Sequence, residues 1–156
     1  MITFSVPGDR IYRIGHLLCD FNGTLAVDGA LLPGVPEALT RAAESVSVHI
    51  LTADTFGTVR EATADLPVQV EVLSPNDQVA AKGRVAERLG AEHVVALGNG
   101  RNDEAMLRTA ALGICILQAE GAHAATLRAA DLVCASPVDA VELLLNTKRL
   151  VATLRR

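Results

Sequence analysis

Short apolar runs recur along the chain, and each is followed by a polar loop and then by a stretch whose apolar residues have helical spacing. The apolar runs predict six strands, at residues 16–19, 46–51, 68–73, 93–97, 113–117 and 131–134. The intervening stretches predict helices at residues 33–44, 55–65, 76–89, 101–110 and 123–130, with a final helical region from Pro137. Strands that alternate with helices in this way form βαβ units, so we expect an α/β fold with a mostly parallel sheet.

The N-terminus departs from this alternation. Residues 2–6 and 11–14 have β-like composition and flank Pro7, Gly8 and Asp9, which favour a turn, so they predict a small N-terminal β-hairpin. At 156 residues, with no long linker and no short-period repeat, the chain is expected to form a single domain over residues 1–156.

Composition and charge narrow the class of protein. Half of the residues are apolar but only 3% are aromatic, so the core is built from Val, Leu, Ile and Ala, which suits a buried parallel sheet. The net charge is −4 without a basic block, which argues against a nucleic-acid partner. No apolar run could span a bilayer and the N-terminus lacks signal-peptide features, so we expect no membrane partner and a cytoplasmic location. An odd number of cysteines without CxxC spacing predicts reduced, buried thiols.

Polar residues with catalytic potential follow the predicted strands. Asp20 ends the first central strand, Thr52 ends the next, and the loop of residues 98–103 follows a later one. Lys82 lies near the start of a helix that could reach the same edge. Because ligands bind at the carboxyl ends of the strands in an open parallel sheet, these residues predict one shared site.

These four segments resemble the ordered motifs of the haloacid dehalogenase (HAD) superfamily. Residues 17–25, LLCDFNGTL, resemble the first motif, DxDGT, or DKTGT in P-type ATPases, and residues 50–52 resemble the second. Lys82 stands at a plausible third motif, and residues 98–103, GNGRND, resemble the fourth, GDGxND. The resemblance extends over roughly residues 16 to 135 and is nearest to soluble P-type ATPase-like proteins. It implies a HAD-like Rossmannoid three-layer sandwich.

The resemblance also implies roles for individual residues. Asp20 would be the nucleophile that forms an aspartyl-phosphate, and Thr52 and Lys82 would stabilise the charge of the phosphoryl group. The catalytic residues implied are Asp20, Asn22, Thr52 and Lys82. The substrate-binding residues implied are Gly23, Thr24, Thr52, Ala53, Lys82 and Asn102, with amides of the loop after Asp20 cradling the phosphate. The Mg²⁺ cofactor would be held by Asp20, the carbonyl group of Asn22, Asn99 and Asp103.

Two residues depart from the family pattern. Asn22 stands where HAD phosphatases carry the general acid/base, and an amide cannot shuttle a proton, which typically costs ~10²–10⁴-fold in rate. Asn99 stands where a metal-binding Asp is usual, which removes one formal charge from the site and weakens its expected affinity for magnesium. Together they predict a slow or specialised enzyme.

Several residues also have simpler explanations. Thr52 could act only as the N-cap of the next helix, in competition with Asp54 and Thr55. Lys82 could be a solvated helix residue, and Asp28 belongs to a turn with Val27 and Gly29. The four histidines have no metal-ligand spacing along the sequence, and roles at strand edges or at the surface suffice for them: His16, His49, His93 and His123.

The motif spacing leaves no room for a cap domain, because about thirty residues separate Asp20 from Thr52 and a similar number separate Thr52 from Lys82. The site is therefore expected to be open, or covered by a neighbouring subunit in a homo-oligomer. The expected partner is a phosphorylated substrate, either a small molecule or a macromolecule. Two functions stay open: a magnesium-dependent phosphatase or phosphotransferase, and a catalytically weakened module that binds a phosphorylated ligand or a protein. Dehalogenase chemistry is disfavoured, because it needs an enclosing cap.

Overall fold

A computed structural model describes residues 1–53 and 57–156. In chain order its strands are β1 (Ile2–Ser5), β2 (Ile11–Ile14), β3 (His16–Asp20), β4 (Ala26–Val27), β5 (Ala30–Leu31), β6 (Ser47–Thr52), β7 (Val68–Val72), β8 (Val94–Gly98), β9 (Leu112–Ile116) and β10 (Leu132–Cys134). Its α-helices are α1 (Val35–Ala43), α2 (Thr58–Ala62), α3 (Gln78–Arg88), α4 (Glu104–Thr109), α5 (Ala124–Ala129), α6 (Pro137–Leu145) and α7 (Thr147–Leu154). Short 3₁₀ turns at Pro75–Asp77 and Arg101–Asp103 lead directly into α3 and α4.

A six-stranded sheet with the order β10-β9-β8-β3-β6-β7 forms the centre of the fold. Every neighbouring pair in it is parallel. The central strands β8 and β9 are buried at every position, as expected for parallel strands covered on both faces. The α/β prediction is therefore confirmed.

Side-chain alternation along the strands divides the core into two layers. In β3, Leu17 and Cys19 face the layer built from α1, α6 and α7, whereas Leu18 faces the layer built from α3 and α4. Both layers consist largely of small aliphatic side chains, as the composition predicted. Helices on both faces of the sheet give the predicted three-layer sandwich.

Two hairpins lie outside the main sheet. The predicted N-terminal hairpin is present, with β1 and β2 antiparallel. A second hairpin, formed by β4 and β5 immediately after Asp20, was not predicted, although the turn at its tip was. That turn contains Asp28 with φ of 50° and Gly29 with φ of 79°. Each strand of this hairpin has only two residues, too few for a recognisable period of two.

Helix boundaries differ from the predictions where local chemistry intervenes. The helix predicted at residues 55–65 is observed as α2, Thr58–Ala62, while Asp54 and Thr55, the competing N-cap candidates, lie outside the described residues. The C-terminal helical region is divided at Asn146, whose backbone is not helical.

In the part of the chain that the structure describes, no helix is long and apolar enough to cross a bilayer. Cys19, Cys115 and Cys134 are buried and unpaired, as predicted.

Close packing of β9 against α4 makes Gly113 sensitive to substitution. A Cβ atom at this position would lie 2.4 Å from the main-chain oxygen of Leu107, which cannot move without shifting α4. Gly113→Ala is therefore expected to lower the free energy of unfolding by about 1–3 kcal/mol in urea denaturation. The matched control is Gly15→Ala, because a Cβ there meets nothing within 4 Å, and it should change stability by less than about 1 kcal/mol. Equal stability of the two variants would contradict this packing.

Candidate active site

The candidate site lies at the carboxyl edge of the sheet, where its three middle strands end side by side. Asp20 is the last residue of β3, Thr52 is the last residue of β6, and Gly98 is the last residue of β8. Because β8, β3 and β6 are parallel neighbours, their ends converge. Asp20 and Thr52 are both buried, so the converging groups lie within the protein rather than on its surface.

Lys82 links two of the converging segments. It projects from α3, and its side chain is only 1% exposed. Its Nζ lies 2.6 Å from Oδ1 of Asp20 and 2.6 Å from Oδ1 of Asp103. The structure therefore brings these three predicted residues together as a buried ion triad, and Lys82 is not a solvated surface lysine.

The triad has an imbalance of charge, because two carboxylates share one ammonium group. Burial, followed by the neighbouring charge of Asp103, raises the pKa of Asp20 from 3.8 to about 7, although Lys82 and a hydrogen bond from Thr24 act in the opposite direction. Burial would lower the pKa of Lys82, but the two carboxylates outweigh it and raise that pKa, so the ammonium stays charged. The triad is thus short of positive charge.

Asp103 holds the fourth-motif loop in place. Its Oδ2 accepts hydrogen bonds from the backbone N–H groups of Asn99, at 3.0 Å, and Gly100, at 2.9 Å, while its Oδ1 accepts from Lys82. A Cβ at Gly98 would lie 2.5 Å from the Cβ of Asp103, so this arrangement requires glycine at the end of β8. Because both of its carboxylate oxygens accept hydrogen bonds, Asp103 fixes the position of the loop and of the Lys82 ammonium group.

The loops of the first and fourth motifs touch through Thr24 and Asn99. The hydroxyl of Thr24 lies 3.0 Å from Oδ2 of Asp20 and 3.2 Å from Oδ1 of Asn99. The amide nitrogen of Asn99 donates to the carbonyl oxygen of Gly121 at 3.0 Å, and its side-chain oxygen faces the Thr24 hydroxyl. A Cβ at Gly23, whose φ is 79°, would lie 2.3 Å from that amide nitrogen, so only glycine allows this approach.

This donor set fits a magnesium ion. Thr24 has one hydroxyl proton for two acceptors, so at any moment either Asp20 or Asn99 lacks that hydrogen bond and can turn an oxygen to a cation. No group of three or more His, Cys, Asp or Glu side chains suited to a metal occurs among the described residues, so amide and main-chain oxygens would have to complete the site. Oxygen ligands of this kind suit Mg²⁺, and a cation would supply the charge that the triad lacks.

The other predicted residues occupy different surroundings. Asn22 is exposed at the site edge, and Ala53 is half-buried directly after Thr52. The side-chain amide of Asn102 donates to Oε1 of Gln78 at 2.9 Å, which ties the fourth-motif loop to α3. Its role in substrate binding stays a prediction.

The backbone amides of Gly23 and Thr24 are engaged within their own loop. Gly23 donates to the carbonyl oxygen of Ala26 at 2.9 Å, and Thr24 donates to that of Phe21 at 3.2 Å. A phosphate cradle made from these two amides would require the loop to rearrange. In the observed arrangement Gly23 allows close contact and the Thr24 hydroxyl orients Asp20.

The loop after β9 supports the site but was not predicted to do so. The side chain of Gln118 donates to the carbonyl oxygen of Gly23 at 2.7 Å, and Gly121 accepts from Asn99. Only the position of this loop in the sequence could have indicated its role, because it follows β9, which lies next to β8 and ends at the same edge of the sheet. No motif residue marks it.

Solved structures share this fold. A 3-deoxy-D-manno-octulosonate 8-phosphate phosphatase from Moraxella catarrhalis, in complex with magnesium, phosphate and KDO, matches with a TM-score of 0.68 at 18% identity, over 91% of this chain and 94% of that one. The cobalt-bound form of the deoxy-D-mannose-octulosonate 8-phosphate phosphatase from Haemophilus influenzae matches with a TM-score of 0.71 at 14% identity, over 92% of this chain and 94% of that one. A Legionella pneumophila protein assigned to the HAD superfamily hydrolases, subfamily III A, matches with a TM-score of 0.69 at 19% identity, over 90% and 87%. The chain therefore shares its fold with these phosphatases and with the protein assigned to the HAD superfamily, which confirms the predicted resemblance at the level of fold.

Sequence comparison identifies nearer relatives. No protein-family model matches the chain. An uncharacterized protein of Methanocaldococcus jannaschii is 44% identical over 79 residues, which cover 48% of this chain and 85% of that protein. A second uncharacterized protein of that organism is 49% identical over 39 residues, which cover 25% of this chain and 89% of that protein. The chain belongs to the same family as these two Methanocaldococcus jannaschii proteins.

The charge imbalance of the triad predicts that Asp20 destabilises the metal-free protein. Because its pKa is raised from 3.8 to about 7, the folded state binds a proton that the unfolded state has released between these values, and stability falls as pH rises through that window. Asp20→Asn is expected to raise the free energy of unfolding at pH 8 by about 1–3 kcal/mol in the presence of a chelator.

Lys82→Met is the matched opposite to Asp20→Asn, because it leaves two buried carboxylates without a cation. It should destabilise the protein by about 3–5 kcal/mol at pH 8, and by less at pH 5, where Asp20, whose pKa is raised to about 7, can protonate. Urea unfolding at both pH values gives the comparison. A stabilising Lys82→Met together with a destabilising Asp20→Asn would contradict this account.

Proposed function

We propose that this protein is a magnesium-dependent HAD-type phosphatase or phosphotransferase that acts through an aspartyl-phosphate on Asp20. The observation that carries the proposal is the buried triad, in which Asp20 lies 2.6 Å from the Lys82 ammonium group at the carboxyl edge of the sheet. Burying three charged groups is costly, and apolar residues of similar volume could replace the triad without loss of stability. The presence of such a costly triad supports a chemical role for it.

In the first chemical step, a carboxylate oxygen of Asp20 attacks the phosphorus atom of a phosphomonoester. The bond between phosphorus and the ester oxygen breaks, and the alcohol leaves after taking a proton from water. In the second step, water attacks the phosphorus of the aspartyl-phosphate, which releases inorganic phosphate and restores the carboxylate. Asp20 must be ionised to react, so its raised pKa favours activity at neutral to alkaline pH unless a cation lowers it.

The surrounding residues would stabilise charge and fix the nucleophile. Lys82 would offset the negative charge of the transferring phosphoryl group, and the hydroxyl of Thr52, at the end of the neighbouring strand, would donate to one of its oxygens. Thr24 holds Asp20 by its Oδ2 and limits rotation of the carboxylate. Asp103 positions Lys82 from the other side.

In this proposal, the residues that would hold magnesium are Asp20, the main-chain carbonyl group of Asn22, and Asn99. The ion would neutralise negative charge on the phosphoryl group. Asp103 was predicted as a further ligand, but its oxygens already accept three hydrogen bonds. We therefore assign it to positioning. Asn99 contributes an oxygen without a formal charge, which weakens the affinity relative to an aspartate.

Asn22 sets the expected rate. It is exposed at the mouth of the site, where a general acid would protonate the leaving group, and its amide cannot do so. Turnover is expected to be slow, and the aspartyl-phosphate is expected to persist.

The substrate class follows from the chemistry of the site and from the neighbours. The Moraxella catarrhalis structure holds phosphate and a sugar acid, and its enzyme is a phosphatase of a phosphorylated sugar acid. We propose a phosphomonoester for this protein, handled in the cytoplasm by a single domain without a cap. The segment between Asp20 and Thr52 consists of the β4–β5 hairpin, α1 and β6, and Ala26 of the hairpin packs with α1 in the core. A module that only binds phosphate would not need a nucleophile held beside an ammonium group, so the catalytic function is favoured.

Phosphate release provides the first test. With p-nitrophenyl phosphate and Mg²⁺, the wild type should show slow turnover that Asp20→Asn abolishes. Asn22→Asp should raise kcat by about 10²–10⁴-fold, because it supplies the missing proton donor. The control is Asn146→Asp, the same change at an exposed residue between α6 and α7, and it should keep the wild-type rate. No turnover in either the wild type or Asn22→Asp would refute a phosphatase that accepts simple phosphomonoesters.

A trapping experiment tests the intermediate. Incubation with acetyl phosphate and Mg²⁺, followed by acid quench and peptide mass spectrometry, should place phosphate on the peptide that contains Asp20. The phosphorylated fraction should be larger in the wild type than in Asn22→Asp, because the wild type lacks a general base for hydrolysis. Phosphate found on another peptide, or equal fractions in both proteins, would count against the assigned roles.

A further inference from the structure

Two histidines face each other at the end of the sheet opposite to the candidate active site. His16 begins β3 and His49 lies in the middle of β6. In the parallel register His16 pairs with Ser47 and Leu18 pairs with His49, so both imidazoles project from the same face. Nδ1 of His16 lies 3.1 Å from Nε2 of His49, and both side chains are half-buried.

The separation of the two nitrogens matches the requirement of a single metal ion. Transition-metal ions bind imidazole nitrogen at ~2.0–2.1 Å, so two such ligands lie about 3.3 Å apart in tetrahedral geometry and about 2.9 Å apart in octahedral geometry. The observed 3.1 Å falls between these values. We propose that His16 and His49 form a binding site for one transition-metal ion that prefers imidazole, such as Zn²⁺, Ni²⁺ or Cu²⁺.

The protonation state of the pair agrees with this site. Burial lowers the pKa of both imidazoles, with a further contribution to His49 from His16 and to His16 from His93. Both rings are therefore neutral at neutral pH, which is the form that binds metals. In the metal-free protein one of the two facing nitrogens carries the proton. A metal would require that proton to move to the outer nitrogen of the same ring.

The charged groups around the pair do not block a cation. Glu71 of β7 and Arg88 of α3 are the charged neighbours of His49, and they pair with each other at 2.6 Å. Their charges therefore largely cancel at the histidines. Among the described residues no third His, Cys, Asp or Glu completes the set, so water fills the remaining positions and the ion exchanges readily.

This site is separate from the one proposed for magnesium. Asp20 lies four positions after His16 along β3, which corresponds to about 13 Å. The two sites also prefer different ions, because Mg²⁺ selects oxygen ligands and imidazole selects later transition metals. Binding at the histidine pair should therefore survive an excess of Mg²⁺.

Calorimetric titration of the whole chain with Zn²⁺ and with Ni²⁺, in excess Mg²⁺, tests the proposal. One equivalent of each ion should bind. His16→Gln and His49→Gln should each weaken the affinity by about tenfold or more, because each removes one of two protein ligands. The control is His123→Gln, at the active-site end of the sheet, where the His123 backbone N–H donates to Asn99, and it should bind as the wild type does. Binding that is unchanged in both pair variants, or lost in the control, would overturn the site.

A measurement on the unaltered protein guards against misfolded variants. Diethyl pyrocarbonate modifies accessible imidazoles, and Zn²⁺ should protect His16 and His49 while leaving His123 reactive. Cu²⁺ should give an electron paramagnetic resonance spectrum with nitrogen hyperfine splitting from two imidazoles. Equal modification of the pair with and without Zn²⁺ would refute the proposal whatever the variants show.

Discussion

The site depends on one buried ammonium group. Lys82 contacts one carboxylate at the end of β3 and one in the fourth-motif loop, so it connects the first-motif strand to that loop. Its helix is positioned by packing of Val85 and Ala86 against the sheet. The hydrophobic core and the site are therefore not separate features, since the same helix face that buries aliphatic side chains also delivers the charge. A buried charge of this kind is stable only while its partners stay in place.

The same contacts explain why the glycines of the motifs are fixed by geometry. Gly98 has no room for a Cβ because Asp103 folds back over it, and Gly23 has none because Asn99 lies against it. The loops pack directly on each other, so the oxygen atoms of Asp20 and Asn99 come within reach of one hydroxyl group. Close packing of backbone, rather than any single strong bond, sets the dimensions of the site.

Much of this could be predicted from the sequence, and the remainder depended on contacts between distant segments. The alternation of apolar runs and helical stretches predicted the parallel sheet, and strand ends located Asp20, Thr52 and the fourth-motif loop. The sequence could not show that Lys82 is buried, because a lysine on a helix has the same local pattern in either environment. Gln118 lies outside every motif. The pairing of His16 with His49 depends on strand register, which spacing along a chain does not reveal.

The hydrogen bond from Asn99 to Gly121 has a consequence for how this family can change. An aspartate at position 99 would carry no amide hydrogen, and its second oxygen would face the Gly121 carbonyl oxygen at a distance where the two repel. The loop after β9 would then have to move, and with it the contact between Gln118 and Gly23. A single exchange of Asn for Asp at position 99 would therefore not fit the loop after β9 as it stands. A substitution of Asp at position 99 would require a matching change in the loop after β9.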